Sequence, residues 1–279
     1  MMRIPNYPIE YKLYDLACIH PLGAFLEYII EGIYREIVPA GSLVVDGGAH
    51  LGRHSFPLCE VVGSAGLVYA IEAIPELAAF LKNEGRKKGY KQFAVVSDAL
   101  GASERKARFV CVRDDMGYSG LRHRDLPEEL AKSTQEIEVS VRRLDEMLAH
   151  HNRKIRFVKL DLEGGEYDAL KGMTGILERD RPFLVLENNR DATGKFYGYD
   201  SGNWFDLFES VNYEVYDVFG RTFAKSDWNA AGIPWYNIAV AANSADDCFV
   251  NGRLRTLVSD LATAYQNRIT DFLALYAPL

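Results

Sequence analysis

"LVVDGGAHLGRHSF", residues 43–56, is the stretch that decides the fold. A short apolar run closes on Asp46, Gly47 and Gly48 follow at once, Gly52 comes four residues later, and a helical pattern begins beyond it. A strand that enters a helix through a glycine turn opens a nucleotide-binding α/β unit, because glycines let a ligand approach the backbone. Further along the chain, apolar runs recur at 67–72, 93–98, 155–161, 183–188, 213–218 and 237–242. Helical patterns lie between many of them, at 75–88, 143–151, 165–178 and 203–211. This alternation predicts an α/β fold, a Rossmann-like doubly wound sheet that is mainly parallel and buried on both faces. Two runs, 107–112 and 136–141, break the alternation around a long polar stretch; they read as an inserted strand pair carrying a functional loop.

Both flanks of this region are helical. Leu22, Phe25, Leu26, Ile29, Ile30, Ile33 and Ile37 share one face, but Glu27, Glu31, Arg35 and Glu36 interrupt the run, so it is too polar to span a bilayer. Residues 253–276 repeat the pattern with Leu254, Leu257, Leu261, Tyr265, Ile269, Phe272 and Leu275. The expected organisation is an N-terminal helical extension (1–42), the α/β domain (43–246) and a C-terminal amphipathic helix (247–279). That last helix is expected to pack on its own domain, with a homodimer contact as the alternative.

The formal charge is −7, from 32 basic and 39 acidic residues. Duplex-binding proteins carry a basic excess or stripe, so nucleic acid is not an expected partner, and neither is a membrane. Cys18, Cys59, Cys111 and Cys248 are too far apart in sequence for a metal knuckle or redox pair and read as reduced, buried thiols. With no leader-like start, a cytoplasmic protein is expected.

The glycine turn narrows the ligand. Glu72 lies 20 residues after Gly52 (72 − 52), at the end of the second strand, where an acid accepts from ribose hydroxyls. Asp98 ends the third strand and is a candidate partner for an adenine amino group. Ala49 stands where a dinucleotide site has its second glycine, and its Cβ disfavours a pyrophosphate. S-adenosylmethionine has no phosphate, and its sulfonium and ammonium suit an acidic neighbour such as Asp46. It is favoured over NAD, and both readings stay open on these residues.

A second constellation is "FVKLDLEGGEYDALKGM", residues 157–173. Lys159 and Asp161 share a strand face, Glu163 starts the following turn, and Glu166 falls in a helix's first turn, where an acid complements the dipole. The next strand closes on Glu187, Asn188 and Asn189. Asp161, Glu187 and Asn188 could hold a hard cation such as Mg2+. Asp161 and Glu187, with Glu163 and His54 behind them, could instead supply a general base for a hydroxyl. The 114–135 loop, with Tyr118 and Ser119, and the segment 195–208, with Tyr197 and Tyr199, are the expected acceptor pocket. Trp204, Phe205 and Phe208 read as core.

Taken together, "VVDGGAHLG", "VYAIEAIPELAAFLKNE", "SDALGASERKARFV", "RRLDEML" and "IRFVKLDLEGGEYDALKGM…RPFLVLEN" resemble the ordered motifs of FkbM-type, class I S-adenosylmethionine-dependent methyltransferases, over about residues 43–242. The resemblance implies a seven-stranded sheet with an antiparallel last strand, and O-methylation of a hydroxyl on a sugar or secondary metabolite. It implies that Gly48, His50 and the neighbouring loop cradle the methionine part of the cofactor, with Glu72 on the ribose and Asp98 by the adenine. Asp161 and Glu163 would face the reaction. Two residues depart from the family pattern: His50 stands where Asn is common, and Pro57 should kink the first helix or delay its start. The competing readings are an NAD-dependent oxidoreductase and a non-catalytic cofactor-binding partner protein.

Overall fold

The computed structural model describes residues 21–230 and 232–275. Helix α1 (Pro21–Ile37) leads into β1 (Leu43–Gly47), α2 (Ser55–Val62), β2 (Leu67–Ile71), α3 (Pro75–Lys87) and β3 (Phe93–Val96). Then come β4 (Ala99–Leu100), β5 (Arg105–Val112), α4 (Glu128–Ala131), β6 (Thr134–Arg142) and α5 (Leu144–Met147). The second half runs β7 (Ile155–Leu160), α6 (Glu166–Lys171), α7 (Thr174–Asp180), β8 (Phe183–Glu187), α8 (Asp191–Tyr197) and α9 (Ser201–Ser210). It finishes with β9 (Tyr213–Asp217), β10 (Tyr236–Ala241), α10 (Ala245–Gly252) and α11 (Leu254–Leu275).

Seven strands form one sheet in the order β3-β2-β1-β7-β8-β10-β9. Its strands pair in parallel except β10, which is antiparallel to both β8 and β9. The last strand in chain order is therefore the antiparallel one, as expected. Strands β1, β8 and β10 are buried at every position, which is why their sequences read as nearly continuous apolar runs, broken only by Asp46, Glu187 and Asn237. The strand order reverses between β1 and β7, so a ligand crevice opens beyond their carboxyl ends. Because β10 runs the other way, its first residue, Tyr236, arrives at that same edge. The inserted pair β5 and β6 is antiparallel and, with β4, forms a separate three-stranded sheet.

Three helices differ from expectation. The helix at 143–151 is only the short α5. The helix at 165–178 is split into α6 and α7 by Gly172, which is packed so close to the Gly101 carbonyl that an added Cβ would lie 2.1 Å from its oxygen. Helix α2 starts at Ser55, which puts Pro57 in the first turn, where its missing N–H breaks no helical bond. His50 and His54 therefore precede this helix.

Leu26, Ile29, Ile30 and Ile33 of α1 are fully buried against the sheet, each contributing about 1.5–3 kcal/mol. Helix α11 packs on α1, with Leu254, Leu257 and Leu261 joining the same core and Leu261 filling the space above Gly32. The described half of the C-terminal helix thus packs on its own domain, and the side chains of Leu22, Ile269, Phe272 and Leu275 lie outside the described residues. Cys59 and Cys111 are buried thiols, whereas Cys248 is exposed on α10, contrary to expectation; Cys18 lies outside the described residues. Among the described residues, no helix is long and apolar enough to cross a membrane.

Candidate active site

The carboxyl edge of the sheet opens into a cleft of about 650 Å3, a size that suits a nucleoside together with a small acceptor. The glycine turn forms its floor. Gly48 has φ +77°, and an added Cβ would lie 1.8 Å from the carbonyl oxygen of Asp161, so the β1 and β7 turns touch backbone to backbone. Hydrogen bonds fix this arrangement: the Gly48 and Ala49 N–H groups donate to Ile71 O at 2.9 and 3.1 Å, and Asp161 N–H donates to Gly47 O at 3.0 Å.

Three acids end β1, β2 and β3 in a row along the cleft. Asp46 is buried; Oδ2 accepts from Ser55 Oγ at 2.5 Å, and the buried Oδ1 has no protein donor. Glu72 accepts from the N–H groups of His50 (2.8 Å) and Ile74 (2.9 Å), and burial pushes its carboxyl above the ordinary range despite those bonds. Asp98 is half-buried at the cleft wall, and its carboxyl is likewise raised by burial. The imidazole of His50 is shifted down by burial. Its φ of +48° explains the residue type, since the left-handed region accepts Asn and His more readily than most side chains. An orphaned buried carboxylate oxygen beside a glycine cradle, with two further acids along the wall, fits a cationic nucleoside.

The β7 and β8 ends form the other half of the cleft. Lys159 is buried and donates to Asp161 Oδ2 at 2.9 Å. Burial works against its charge, but Asp161, Glu27 and Asp46 more than offset this, so the ammonium is retained. Burial raises the Asp161 carboxyl, yet Lys159 outweighs it and the net shift is downward. Glu187 is pushed well above the ordinary carboxylate range, by burial first and then by Asp161, Glu163 and Glu166. Glu163, at φ +55°, is raised by burial to about 7 against the opposing pull of Arg124, whose guanidinium donates to it at 2.5 Å. Arg124 comes from the long loop, which also brings Asp115, Tyr118 and Ser119 to the cleft.

Glu166 belongs to the scaffold. It is buried at the start of α6, and Oε1 accepts from the N–H groups of Leu162 (2.5 Å) and Gly164 (3.4 Å), holding the turn that aims Glu163.

Asp161, Glu163 and Glu187 bring carboxylate oxygens within 4.8 Å of one another. Asn188, expected as an amide ligand, is engaged elsewhere: its Nδ2 donates to Asn237 Oδ1 at 2.7 Å, and its Oδ1 accepts from Arg190 N–H at 3.0 Å. Side-chain cations already sit on two of the three carboxylates, Lys159 on Asp161 and Arg124 on Glu163, so the cluster is neutralised from within the chain.

Of the two expected parts of the acceptor wall, the 114–135 loop reaches the cleft with Tyr118 and Ser119, and the other does not. Residues 195–208 do not line the cleft. Tyr199, Trp204 and Phe208 are buried in a cluster of aromatic rings with Trp228, and Tyr197 and Phe205 pack against it. The side chains reaching the cleft here are Asn189, Ala192 and Thr193 at the start of α8, with Trp235 and Tyr236 opposite. His54 lines the cleft too. Its Nε2 contacts Glu27 Oε2 on α1, and Glu27 Oε1 accepts from the Tyr236 hydroxyl at 2.6 Å. Glu27 and Tyr236 carried no signal in the sequence, because each reaches the cleft from a segment distant from its motifs; Arg124 lies in the long loop expected at the cleft but was not itself singled out.

The methyltransferase FkbM domain model matches residues 46–215. Curated relatives include a protein-L-isoaspartate O-methyltransferase of Aeropyrum pernix, 33% identical over 101 residues, which are 33% of this chain and 38% of that protein. One from Methanococcus aeolicus is 30% identical over 115 residues, 37% of this chain and 53% of that protein. The chain therefore spans less than two thirds of the length of these relatives. Among solved structures, methyltransferase FkbM from Methylobacillus flagellatus KT aligns with 82% of this chain and 57% of its own, at 15% identity and TM-score 0.43. A putative rRNA-methylase from Clostridium thermocellum aligns with 81% of this chain and 97% of its own, at 12% identity and TM-score 0.48. With its family model matched over more than half its length, the chain belongs to the FkbM-type class I S-adenosylmethionine-dependent methyltransferases.

Proposed function

We propose that this chain transfers a methyl group from S-adenosylmethionine to a hydroxyl, on a sugar or secondary metabolite, with Asp161 as the general base. Family membership leaves the NAD alternative without support. Asp46, Gly48, His50, Glu72 and Asp98, which all line the cleft, would hold the cofactor: Asp46 Oδ1 would accept from its ammonium, Glu72 from the ribose and Asp98 from the adenine amino group. Gly52, expected with them, is buried against Phe56 and Leu81 and serves the turn instead. When bound, S-adenosylmethionine supplies a methyl group already activated by a cationic sulfur.

The observation that carries the proposal is the arrangement of the acid cluster: Asp161 and Glu187 bring carboxylate oxygens within 4.8 Å of each other, and Lys159 sits on Asp161 at 2.9 Å. Lys159 draws the Asp161 carboxyl down, while burial and the neighbouring acids push Glu187 up. One of the pair can accept a proton and the other can donate a hydrogen bond, a division of labour that adjacent carboxyls reach through environment. Glu187 Oε2 is buried without a protein donor, so it can orient an acceptor hydroxyl toward Asp161. The chain's main contribution is then alignment, supported by proton removal worth about 10²–10⁴-fold.

The test is a screen of sugar and secondary-metabolite acceptors with methyl-labelled donor, on wild type and Asp161→Asn. The variant should bind S-adenosylmethionine but lose about 10²-fold or more in kcat. An Asp161→Asn enzyme at wild-type kcat would remove Asp161 as the base.

A further inference from the structure

We propose that α1 completes the active site: Glu27, acting through Tyr236, is a positioning residue that strengthens Asp161 as the proton acceptor. The proposal rests on Asp161 being the base. Glu27 lies on α1, ahead of the matched residues 46–215, and Tyr236 opens the antiparallel strand β10 beyond them.

One hydrogen is shared among three oxygens at this point. The Tyr236 hydroxyl lies 2.6 Å from Glu27 Oε1 and 2.8 Å from Asp161 Oδ2. A phenol has one hydrogen to donate, and a carboxylate has none. While both carboxylates are ionised, only one of these contacts is a hydrogen bond, and the other brings two oxygens together with no proton between them. The second oxygen of Glu27 is held by His54, and Lys159 holds Asp161, so neither carboxylate can swing away cheaply. A proton on Asp161 Oδ2 completes the set: Asp161 donates to Tyr236, and Tyr236 donates to Glu27. The acceptor's O–H bond breaks, the Asp161 O–H bond forms, and Tyr236 keeps its own hydrogen.

The surrounding charges fit this assignment. Asp161 also faces Lys159 on its own strand, Glu187 on β8, Glu163 on the following turn and His50 on the glycine loop. Glu27 faces His54 and Arg53 from the turn before α2, and Lys159 from β7. Arg53 is paired with Glu31, one turn further along α1. Glu27 opposes the pull of Lys159 on Asp161, keeping Asp161 from becoming too weak a base. Tyr236 is held far above its ordinary range, by burial first and by Asp161 and Glu27 after it, so its hydrogen stays in place as a donor.

The test is carboxyl 13C NMR titration of ligand-free protein carrying labelled aspartate, with the Asp161 resonance identified by its loss in Asp161→Asn. In Glu27→Gln the Asp161 midpoint should move to lower pH by about 1 or more, the size expected for losing a like charge nearby. The acidic limb of the kcat profile should move with it. Tyr236→Phe is the second variant; it keeps the Glu27 charge but removes the bridging oxygen, so its midpoint should also change. Superposable Asp161 titration curves in wild type and both variants would overturn the proposal. Failure of the base assignment is separate, because it appears as an active Asp161→Asn enzyme.

Discussion

Replacing Gly48 with alanine should disable the site while leaving the fold intact. Two costs follow from the structure. The backbone at φ +77° becomes unfavourable for a residue with a Cβ, by about 1–2 kcal/mol. The new Cβ would also lie 1.8 Å from the Asp161 carbonyl oxygen, a backbone atom that cannot rotate away. To reach even a 3.0 Å contact, the two turns must part by about 1.2 Å (3.0 − 1.8). One turn carries Asp46 and His50 and the other carries Asp161 and Glu163, so the parting separates the two halves of the cleft. A misplacement of about 1 Å can cost about 10²-fold in rate. Titration calorimetry with S-adenosylmethionine should show affinity weakened by about tenfold or more, and labelled-methyl transfer should fall by about 10²-fold. The loss in Tm should be only about 2–4 °C per kcal/mol for a domain of this size. Gly47→Ala is the internal control, because its Cβ would meet the side-chain ends of Leu160 (2.8 Å) and Leu100 (3.1 Å), which can shift. A Gly48→Ala protein with wild-type affinity and rate would refute the reasoning, since the close approach of the two turns would then have no bearing on the site.

Two further outcomes follow. Burial holds Glu166 at about 8 in the folded chain, above its ordinary 4.5, so the folded state keeps a proton that the unfolded state releases between those values. Stability from this group is full below about pH 4.5 and is lost as pH rises toward 8; Glu166→Gln should flatten that part of a Tm-against-pH curve, and an unchanged slope would contradict it. Methyl transfer should persist in excess chelator, because Lys159 and Arg124 already neutralise Asp161 and Glu163; loss of activity restored by added Mg2+ would instead assign those carboxylates to a cation.

Much of the architecture was legible because sheet burial writes itself into composition. A strand covered on both faces has no polar positions to spare, so β1, β8 and β10 stand out as apolar runs. The strand-end acids were legible for the complementary reason: a charge that closes such a run needs a partner or a ligand. Asp46, Glu72, Asp98, Asp161 and Glu187 all line the cleft. The acceptor wall was legible only in the 114–135 loop, whose Tyr118 and Ser119 line the cleft. Aromatic residues at 195–208 suit ring binding and core packing equally well by type, and only the rings of Trp228 and the surrounding core decide for packing. Asn188 was misplaced for a related reason: consecutive residues at a strand end point to opposite sides, and its amide turned to Asn237 on β10.

The sequence by itself determined the sheet, the glycine cradle and the row of acids, because each depends on residue type at short spacing: hydrophobic period, a positive φ, a charge at a strand end. Tertiary structure alone decided which distant side chains complete the site. Glu27 from α1, Arg124 from the inserted loop and Tyr236 from β10 converge on Asp161 and Glu163 only because the antiparallel strand and the packed helix deliver them to one edge. Their hydrogen bonds and charges act over a few ångströms in space, a distance that has no counterpart in separation along the chain.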